Sequence, residues 1–357
     1  MKIINILGFF LLIISCFSTF SATMALGENH TVLLDENGFV WTFGQNNYGQ
    51  LGHKAASKSK EPKRLENLAS ITAVGAGCSH TVLLDSCGFV WTFGRNIEGQ
   101  LGHGYINNLN EPKKINGLPN IIAIAAGNSN TMLLDEKGHV WTFGKGWDGQ
   151  LGHGDANDLR MPKRIDGLPR IITITAGGEH SILLDENGFV WTFGQNNYGQ
   201  LGHDNEDGLH IPKKIENLAL ISAIAAGDYN SIFVDESGFI YSSGGRPDFY
   251  APKKIENIWP VKLIAAKGSC NIVADKESLV WSFYPGDISY TAKMSLVTSI
   301  AAGANNCLVL DSEGLVWLFG YSSYLANHPK KIPLEVKIAQ PSNFFGGAYY
   351  HTKSARN

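Results

Sequence analysis

Tryptophan recurs along this chain at a fixed interval, and this repeat constrains the fold more than any other feature. The spacing is 50 residues for the first copies and then shortens: Trp41, Trp91, Trp141, Trp191, Tyr241, Trp281 and Trp317. An aspartate six residues before each aromatic residue marks the same seven copies, from Asp35 to Asp311. Tandem units of this length stack into a single repeat architecture, so the 357 residues are predicted to form one repeat domain.

Each copy is predicted to contain four short strands. The segments HTVLLD (30–35) and FVWTFG (39–44) are rich in β-branched and aromatic residues and flank a tight turn. Both are apolar on both faces, so each sheet must be covered on both sides. The segment before the hairpin is rich in Ala and Gly, as in AIAAG (123–127). Small side chains are needed where seven strands converge on an axis, so this segment is predicted to be the innermost strand. The sequence therefore predicts an all-β, seven-bladed β-propeller of four-stranded antiparallel blades.

The two ends of the repeat array indicate how the ring closes. The first copy starts at its hairpin, near Gly27, without an Ala-rich strand before it. The chain ends with a segment, 333–352, that resembles the beginning of an eighth copy without a hairpin after it. We therefore expect the C-terminal strand, within 334–345, to complete the first blade and remove the open edges. The last three copies are shortened after the aromatic residue, which predicts smaller loops on one side.

The N-terminal segment predicts export. Lys2 precedes an apolar run, and the tripeptide Thr23-Met24-Ala25 has small residues at its first and third positions, which a signal peptidase recognises. Two other interpretations of this segment stay open. Residues 3–22 are long enough for a membrane anchor. The residues before Cys16 resemble a bacterial lipobox, which would leave this cysteine lipidated at the mature N-terminus. The expected location is secreted, periplasmic or cell-surface. The predicted domains are 1–25 (signal peptide or membrane anchor), 26–352 (propeller) and 353–357 (C-terminal tail).

Net charge and cysteine positions bear on two questions: whether the protein binds nucleic acid and whether it contains disulfides. The net charge of −3, without a basic cluster, argues against a nucleic-acid partner. Cys78 and Cys87 are predicted at opposite ends of one strand, about 30 Å apart, which is too far for a disulfide. Cys270 and Cys307 fall at non-equivalent positions of neighbouring copies. We therefore expect buried free thiols.

Three motifs of the repeat carry a family resemblance. They are G-x-x-H-[TS] (77–81), the G-x-V-W-x-F-G hairpin and G-Q-L-G (49–52). Together they resemble the regulator of chromosome condensation repeat family, whose founding member is a seven-bladed nuclear propeller. That protein exchanges guanine nucleotide on the GTPase Ran and docks on nucleosomes, using an extra wedge hairpin that no copy here contains. Secreted bacterial relatives, including the propeller type of β-lactamase inhibitor protein, bind partner proteins through their loops and fit the export signal better.

The histidines of the repeat invite a metal or catalytic interpretation, which the pattern disfavours. His30, His80 and His180 share one repeat position with Asn130 and Asn230, as expected for a side chain bonded to a neighbouring backbone group. The other repeated histidines follow G-Q-L-G on separate blades, without the spacing of a metal site: His53, His103, His153 and His203. The repeated aspartates are expected to cap their own turns. We predict no catalytic residue, no metal site and no cofactor.

The most informative residues vary inside the rigid repeat, between F-G and G-Q-L-G. Aromatic and arginine side chains on loops of a stiff scaffold are typical interface anchors, although packing over blade junctions is an equally good alternative. The candidate partner-binding residues are Tyr48, Arg95, Trp147, Asp148 and Tyr198. The predicted function is a monomeric, non-enzymatic propeller that binds a protein outside the cytoplasm and touches a membrane only through an uncleaved N-terminal segment. The alternatives are nucleotide exchange on a small GTPase, by resemblance, and carbohydrate or surface binding.

Overall fold

A computed structural model describes the chain at residues 23–54, 57–68, 70–246, 249–258, 260–268, 270–284, 287–294, 296–320, 330–332 and 338. These residues form seven four-stranded antiparallel sheets. The first strands of successive blades contact one another, and the first strand of blade seven contacts that of blade one. This ring of blades confirms the predicted propeller. Within the described ranges, no helix has the length and apolar character needed to cross a membrane.

The strands follow chain order within every blade. Blade one contains β1 (Met24–Leu26), β2 (His30–Leu34), β3 (Val40–Gln45) and β4 (Lys58–Arg64). Blade two contains β5 (Ile71–Ala76), β6 (His80–Asp85), β7 (Val90–Gly94) and β8 (Leu109–Lys114). Blade three contains β9 (Ile121–Ala126), β10 (Asn130–Asp135), β11 (Val140–Gly144) and β12 (Leu159–Arg164). Blade four contains β13 (Ile171–Ala176), β14 (His180–Asp185), β15 (Val190–Gly194) and β16 (Leu209–Lys214).

The later blades have shorter connections. Blade five contains β17 (Ile221–Ala226), β18 (Asn230–Asp235), β19 (Ile240–Gly244) and β20 (Lys253–Ile255). Blade six contains β21 (Val261–Lys267), β22 (Cys270–Asp275), β23 (Leu279–Tyr284) and β24 (Asp287–Lys293). Blade seven contains β25 (Val297–Ala302), β26 (Asn306–Asp311), β27 (Val316–Gly320) and β28 (Lys330–Lys331).

The central hairpin of each blade is fixed by its aspartate. In blade one, Oδ1 of Asp35 accepts hydrogen bonds from the backbone N–H groups of Asn37 and Phe39, at 2.9 and 3.0 Å. The indole N–H of Trp41 donates to Oδ2 of the same carboxylate at 2.8 Å. The turn needs a left-handed backbone at Gly38, whose φ is 78°. Equivalent bonds recur from Asp85 to Asp311, so the aspartates cap their turns as predicted.

The hydrophobic core lies between adjacent blades. Val32 and Val40 of blade one pack in one cluster with Val74, Leu83 and Phe93 of blade two. Leu83 and Phe93 are completely buried, and burial of one such side chain contributes roughly 1.5–3 kcal/mol. Because the central strands of each blade are apolar on both faces, every blade depends on its neighbours for burial.

Both chain ends contribute to the first blade. β1 pairs with β2, and Met24 lies opposite Leu33. Ile338 forms an isolated antiparallel bridge with Asp35 and is buried in the cluster that contains Met24 and Leu33. In blade two the residue that holds this position against the aspartate is Ile71, which opens the inner strand. The inner strand of blade one is therefore divided between the two ends of the chain.

This arrangement corrects the expectation that the first copy lacks an inner strand. Met24–Leu26 supply most of it, and the C-terminal segment contributes Ile338. The short sequence Met-Ala-Leu lacks the Ala-Gly pattern of the other copies and overlaps the residues that resemble a cleavage site, so the strand was missed. The predicted domain boundary after residue 25 falls inside β1. The remainder of the predicted closing strand, 334–345, lies outside the described residues.

The cysteines also differ from expectation. Cys270 and Cys307 form a disulfide between blades six and seven, with their Cα atoms 6.6 Å apart, so free thiols were the wrong prediction for this pair. Residues that meet across a blade junction come from different repeat positions. Cys270 occupies the position of His30 and Cys307 the position of Thr81, and these two positions meet between neighbouring blades. Cys78 and Cys87 are free; Cys78 is half-buried, and Cys87 is exposed instead of buried.

Candidate functional site: the long-loop face

The variable loops lie at one end of the propeller, where the inner strands also end. In blade one, the backbone N–H of Gln45 donates to the carbonyl of Asn29 at 2.8 Å, which joins the variable loop to the G-x-x-H turn. The same bond joins Arg95 to Ser79, Lys145 to Ser129 and Gln195 to Glu179. We name this end the long-loop face: the loops 45–53, 95–103, 145–153 and 195–203 with the turns 27–30, 77–80, 127–130, 177–180 and 227–230.

Buried amides hold the long loops in place. In blade two, Oδ1 of Asn96 accepts a bond from the N–H of Leu101 at 2.9 Å, and its Nδ2 donates to the carbonyl of Tyr105 at 2.8 Å. Oε1 of Gln100 accepts from the N–H of Glu98 at 3.1 Å. Asn96 and Gln100 are almost fully buried, whereas Ile97 between them is exposed. Blade three has Gly146 in place of this asparagine: its backbone N–H donates to Oδ1 of Asp158 at 2.9 Å, and Oε1 of Gln150 accepts from the N–H of Asp148 at 3.0 Å. Every long loop therefore has a hydrogen-bonded base and an outward tip, but the side chains that hold the base differ in blade three.

A hydrogen-bond chain connects this base to the next blade. The hydroxyl of Thr81 in blade two donates to the carbonyl of Gln50 in blade one at 2.8 Å. That hydroxyl oxygen lies 3.1 Å from Nε2 of His30, so the imidazole N–H must be the donor. The same inter-blade hydrogen-bond chain recurs as His80–Thr131–Gln100 and His180–Ser231–Gln200. The partner of these histidines is thus a hydroxyl group and not the predicted backbone group.

Burial keeps these histidines neutral. Burial lowers the pKa of His30, His80 and His180 to about 3 in each case. The histidines after G-Q-L-G donate from Nε2 to a threonine of their own blade; burial lowers the pKa of His103, His153 and His203 to about 4. Side chains with such low pKa values are not poised for general-base chemistry near neutral pH. Among the described residues, no three His, Cys, Asp or Glu side chains converge as metal ligands.

The predicted aromatic residues all project from the long-loop face. Trp147 is 68% exposed, Tyr198 47% and Tyr48 38%, although each is large and apolar. The guanidinium of Arg95 lies 5.9 Å from the ring centre of Tyr48, and the ammonium of Lys145 lies at the same distance from the ring of Trp147. The five candidate residues therefore follow one arc across blades one to four. Tyr48 and Tyr198 each contact a residue of the next blade, Arg95 and Tyr229, and both rings remain partly exposed.

Arg95 and Asp148 are engaged in ion pairs at the base of this arc. Arg95 pairs with Glu98 at 2.9 Å, and Lys145 pairs with Asp148 at 3.0 Å and with Glu179 at 3.1 Å. Burial raises the pKa of Glu179 despite the facing ammonium. Burial opposes protonation of Lys145, but the two carboxylates raise its pKa. The two half-buried pairs of Lys145 fix the loop that carries Trp147, so the carboxylate of Asp148 supports this loop.

The structure adds residues that the sequence analysis missed. Tyr229 is exposed, and its ring centre lies 4.7 Å from that of Tyr198, with the two planes tilted by 56°. Ile97 is exposed at the tip of the second long loop. Tyr229 and Glu179 occupy the second variable position of the G-x-x-H turn. Variation at these two positions was the available signal, but only the fold shows that the turns lie beside the long loops.

One lysine reaches from the inner strand of blade six to that of blade two. Lys267 stands where the other six copies have glycine, from Gly27 to Gly303. Its ammonium donates a hydrogen bond to the carbonyl of Ala76, on the inner strand of blade two. Burial lowers its pKa. Nearby, burial raises the pKa of the Cys78 thiol to about 11, so this thiol is protonated and a poor nucleophile near neutral pH.

Comparison with known families agrees with this geometry. A family model described as an RCC1-like domain matches residues 13–287, more than half of the chain. The chain belongs to the RCC1-like domain family. The curated protein HERC4 of the mouse, a probable E3 ubiquitin-protein ligase, is 38% identical over 52 residues. That match covers 15% of this RCC1-like chain and 5% of the mouse protein.

Solved structures show the same fold at low sequence identity. Prp20p from Saccharomyces cerevisiae superposes on the RCC1-like chain with a TM-score of 0.64 at 21% identity, covering 91% of this chain and 80% of Prp20p. The ectodomain of the Arabidopsis thaliana receptor kinase ACR4 gives a TM-score of 0.56 at 14% identity, covering 88% of this chain and 98% of that one. These similarities show a shared architecture, and a shared architecture does not identify a binding partner.

Proposed function

We propose that this RCC1-like propeller is an exported, non-enzymatic protein that binds a partner protein through its long-loop face. The observation that carries the proposal is the exposure of Trp147 on a loop with a fixed base. A tryptophan that packed the blade junction would be buried, as Phe93 and Phe143 are. Large aromatic side chains on rigid supports are the residues that contribute most to protein interfaces.

The surroundings of Trp147 support a binding role. Tyr48 lies to one side along the arc, and Tyr198 with Tyr229 lies to the other, so blades one, three, four and five each present an exposed aromatic ring on this face. Little reorganisation is needed on binding, because Lys145, Asp148 and Glu179 already fix the central loop. Preorganised aromatic surfaces lose less side-chain entropy when they bind.

Three features support export. The N-terminal sequence has the charged start and apolar run of a signal peptide. A disulfide joins Cys270 and Cys307, and such bonds persist mainly in oxidising compartments. A propeller of the same fold forms the ectodomain of the receptor kinase ACR4. The yeast protein Prp20p was studied for binding to Gsp1p and histones, so a protein partner is also the expectation that the fold family favours.

The experiment compares two exposed side chains in the same blade. Protein beginning at Thr23 is immobilised, proteins retained from the extracellular medium of the source cells are identified, and their affinities are then measured. We expect Trp147→Ala to weaken binding by roughly thirtyfold or more, which corresponds to about 2 kcal/mol, with an unchanged melting midpoint. Met161→Ala is the matched control, since Met161 is 62% exposed on the outer strand β12.

The outcome separates the proposal from its alternatives. Equal affinities for the two variants would place the partner elsewhere on the propeller. A large loss of stability in Trp147→Ala with intact binding would show that the indole serves packing. Retention of a small GTPase, with accelerated nucleotide release, would replace the proposal by an exchange function, and retention of glycans alone would indicate a carbohydrate-binding module.

A further inference from the structure

The junction between blades six and seven differs from the junctions that carry long loops. In the first junction, Thr81 accepts from His30 and donates to Gln50, so one hydroxyl connects two blades and one loop. Blade six has no G-Q-L-G sequence, so the glutamine whose carbonyl binds Thr81 in the first junction has no counterpart there. Its two junction positions are filled by Cys270 and Cys307, both buried and joined covalently.

We propose that the Cys270–Cys307 disulfide replaces the inter-blade hydrogen-bond chain in the short-loop part of the ring, and that the ring opens at this junction when the bond is reduced. The preceding junction uses a weaker substitute, a single amide contact of 3.1 Å from Asn230 to Asn271. A covalent bond between residues separated by 37 positions also restricts the unfolded chain. The proposal is independent of the partner-binding function, because the long-loop face lies on other blades.

The redox chemistry is ordinary thiol–disulfide exchange. On formation, the two thiols lose two protons and two electrons to a disulfide oxidant such as oxidised glutathione, which becomes two thiols. On reduction, a thiolate of dithiothreitol attacks one sulfur of the pair. The second thiol of the reagent then attacks the mixed disulfide and displaces the protein sulfur, leaving two protein thiols and one cyclic disulfide.

The first measurement asks whether the bond exists in the purified protein. The purified full-length protein is denatured without reductant, alkylated and digested. We expect Cys78 and Cys87 to be alkylated and the peptides of Cys270 and Cys307 to stay linked until dithiothreitol is added. Complete alkylation of Cys270 and Cys307 before reduction would overturn the proposal.

The second measurement asks whether the bond holds the ring. We expect dithiothreitol to lower the melting midpoint of the wild type by several degrees. After reduction, amide hydrogen exchange should increase in β21, β22 and β25 earlier than it does in the strands of blades one to four. Cys270→His with Cys307→Thr installs the residues found at the first junction, and this variant should not respond to dithiothreitol. Cys270→Ala with Cys307→Val serves the same purpose if the polar pair prevents folding. An unchanged wild-type midpoint and exchange pattern after complete reduction would refute the inference.

Discussion

Ile338 faces Asp35 across an isolated antiparallel bridge, in the register that Ile71 and Asp85 share in blade two. The aspartate that caps the first hairpin is therefore also the point where the C-terminal chain meets the N-terminal blade. Just beyond it, the carbonyl of Thr23 accepts a hydrogen bond from the N–H of Leu34 at 2.9 Å. The stability of the ring consequently depends on a few residues at each end of the chain.

N-terminal trimming tests the divided inner strand. We expect protein beginning at Thr23 to be fully stable. Protein beginning at Leu26 should lose about 2–3 kcal/mol or more, because the buried side chain of Met24 and two paired residues of β1 are removed. Urea denaturation of the two proteins measures the difference. Equal unfolding free energies would show that β1 does not hold the first blade.

The C-terminal contact is tested by one substitution. Ile338→Ala should lower the unfolding free energy by about 2–5 kcal/mol, since Ile338 is completely buried beside Met24 and Leu33. Ile211→Ala, at an exposed isoleucine of β16, is the matched control and should change stability by less than about 0.5 kcal/mol. A similarly small effect at Ile338 would mean that the ring closes without this contact.

The inter-blade hydrogen-bond chain is tested at its central hydroxyl. Thr81→Val keeps the shape of the side chain but removes the acceptor for His30 and the donor for Gln50, both buried, which should cost about 2–4 kcal/mol. Thr81→Ser should cost less than about 1 kcal/mol, because Ser231 performs the same role between blades four and five. Thermal or urea unfolding of both variants gives the comparison. If the valine variant is as stable as the serine variant, the hydroxyl contributes no net stability.

Stability is expected to fall in acid because of the buried histidines. The pKa of His30, His80 and His180 is about 3 in the folded chain against 6.5 in the unfolded chain. Between these values the unfolded chain binds more protons. The unfolding free energy is therefore largest above about pH 6.5 and falls as the pH drops toward 3, by up to about 1.4 kcal/mol per histidine and pH unit. Positive charge from Lys267 acts in the same direction on His30 and His80.

A triple substitution of His30, His80 and His180 by Asn provides the control, since Asn130 and Asn230 already occupy this repeat position. Its unfolding free energy should depend less steeply on pH between 4.5 and 6.5. The slope should not vanish, because His103, His153 and His203 keep pKa values near 4. A wild-type slope that equals that of the triple variant would contradict the assignment of acid sensitivity to these three side chains.

Local features of the fold were predictable because their causes lie within one repeat. The turn at Asp35 forms from contacts that span at most six residues, and the spacing of Trp41 and its equivalents counts the blades. The placement of Tyr48, Trp147 and Tyr198 on one face also followed from the repeat, since Tyr48 and Tyr198 occupy equivalent positions and Trp147 lies in the equivalent loop, one position earlier. Their exposure did not follow, because it depends on what the neighbouring blade places beside them.

The sequence by itself determined the seven hairpins, the four-stranded blades and the common face of the variable loops, since each of these arises from short-range periodicity. Only the tertiary structure decided that Cys270 meets Cys307, that His30 meets Thr81, that Lys267 reaches Ala76 and that Met24–Leu26 form most of the inner strand of blade one. The physical reason is that these contacts depend on the offset between neighbouring blades and on the curvature that closes the ring. Both are set by the packing of side chains between sheets, and no repeat period in the chain records them.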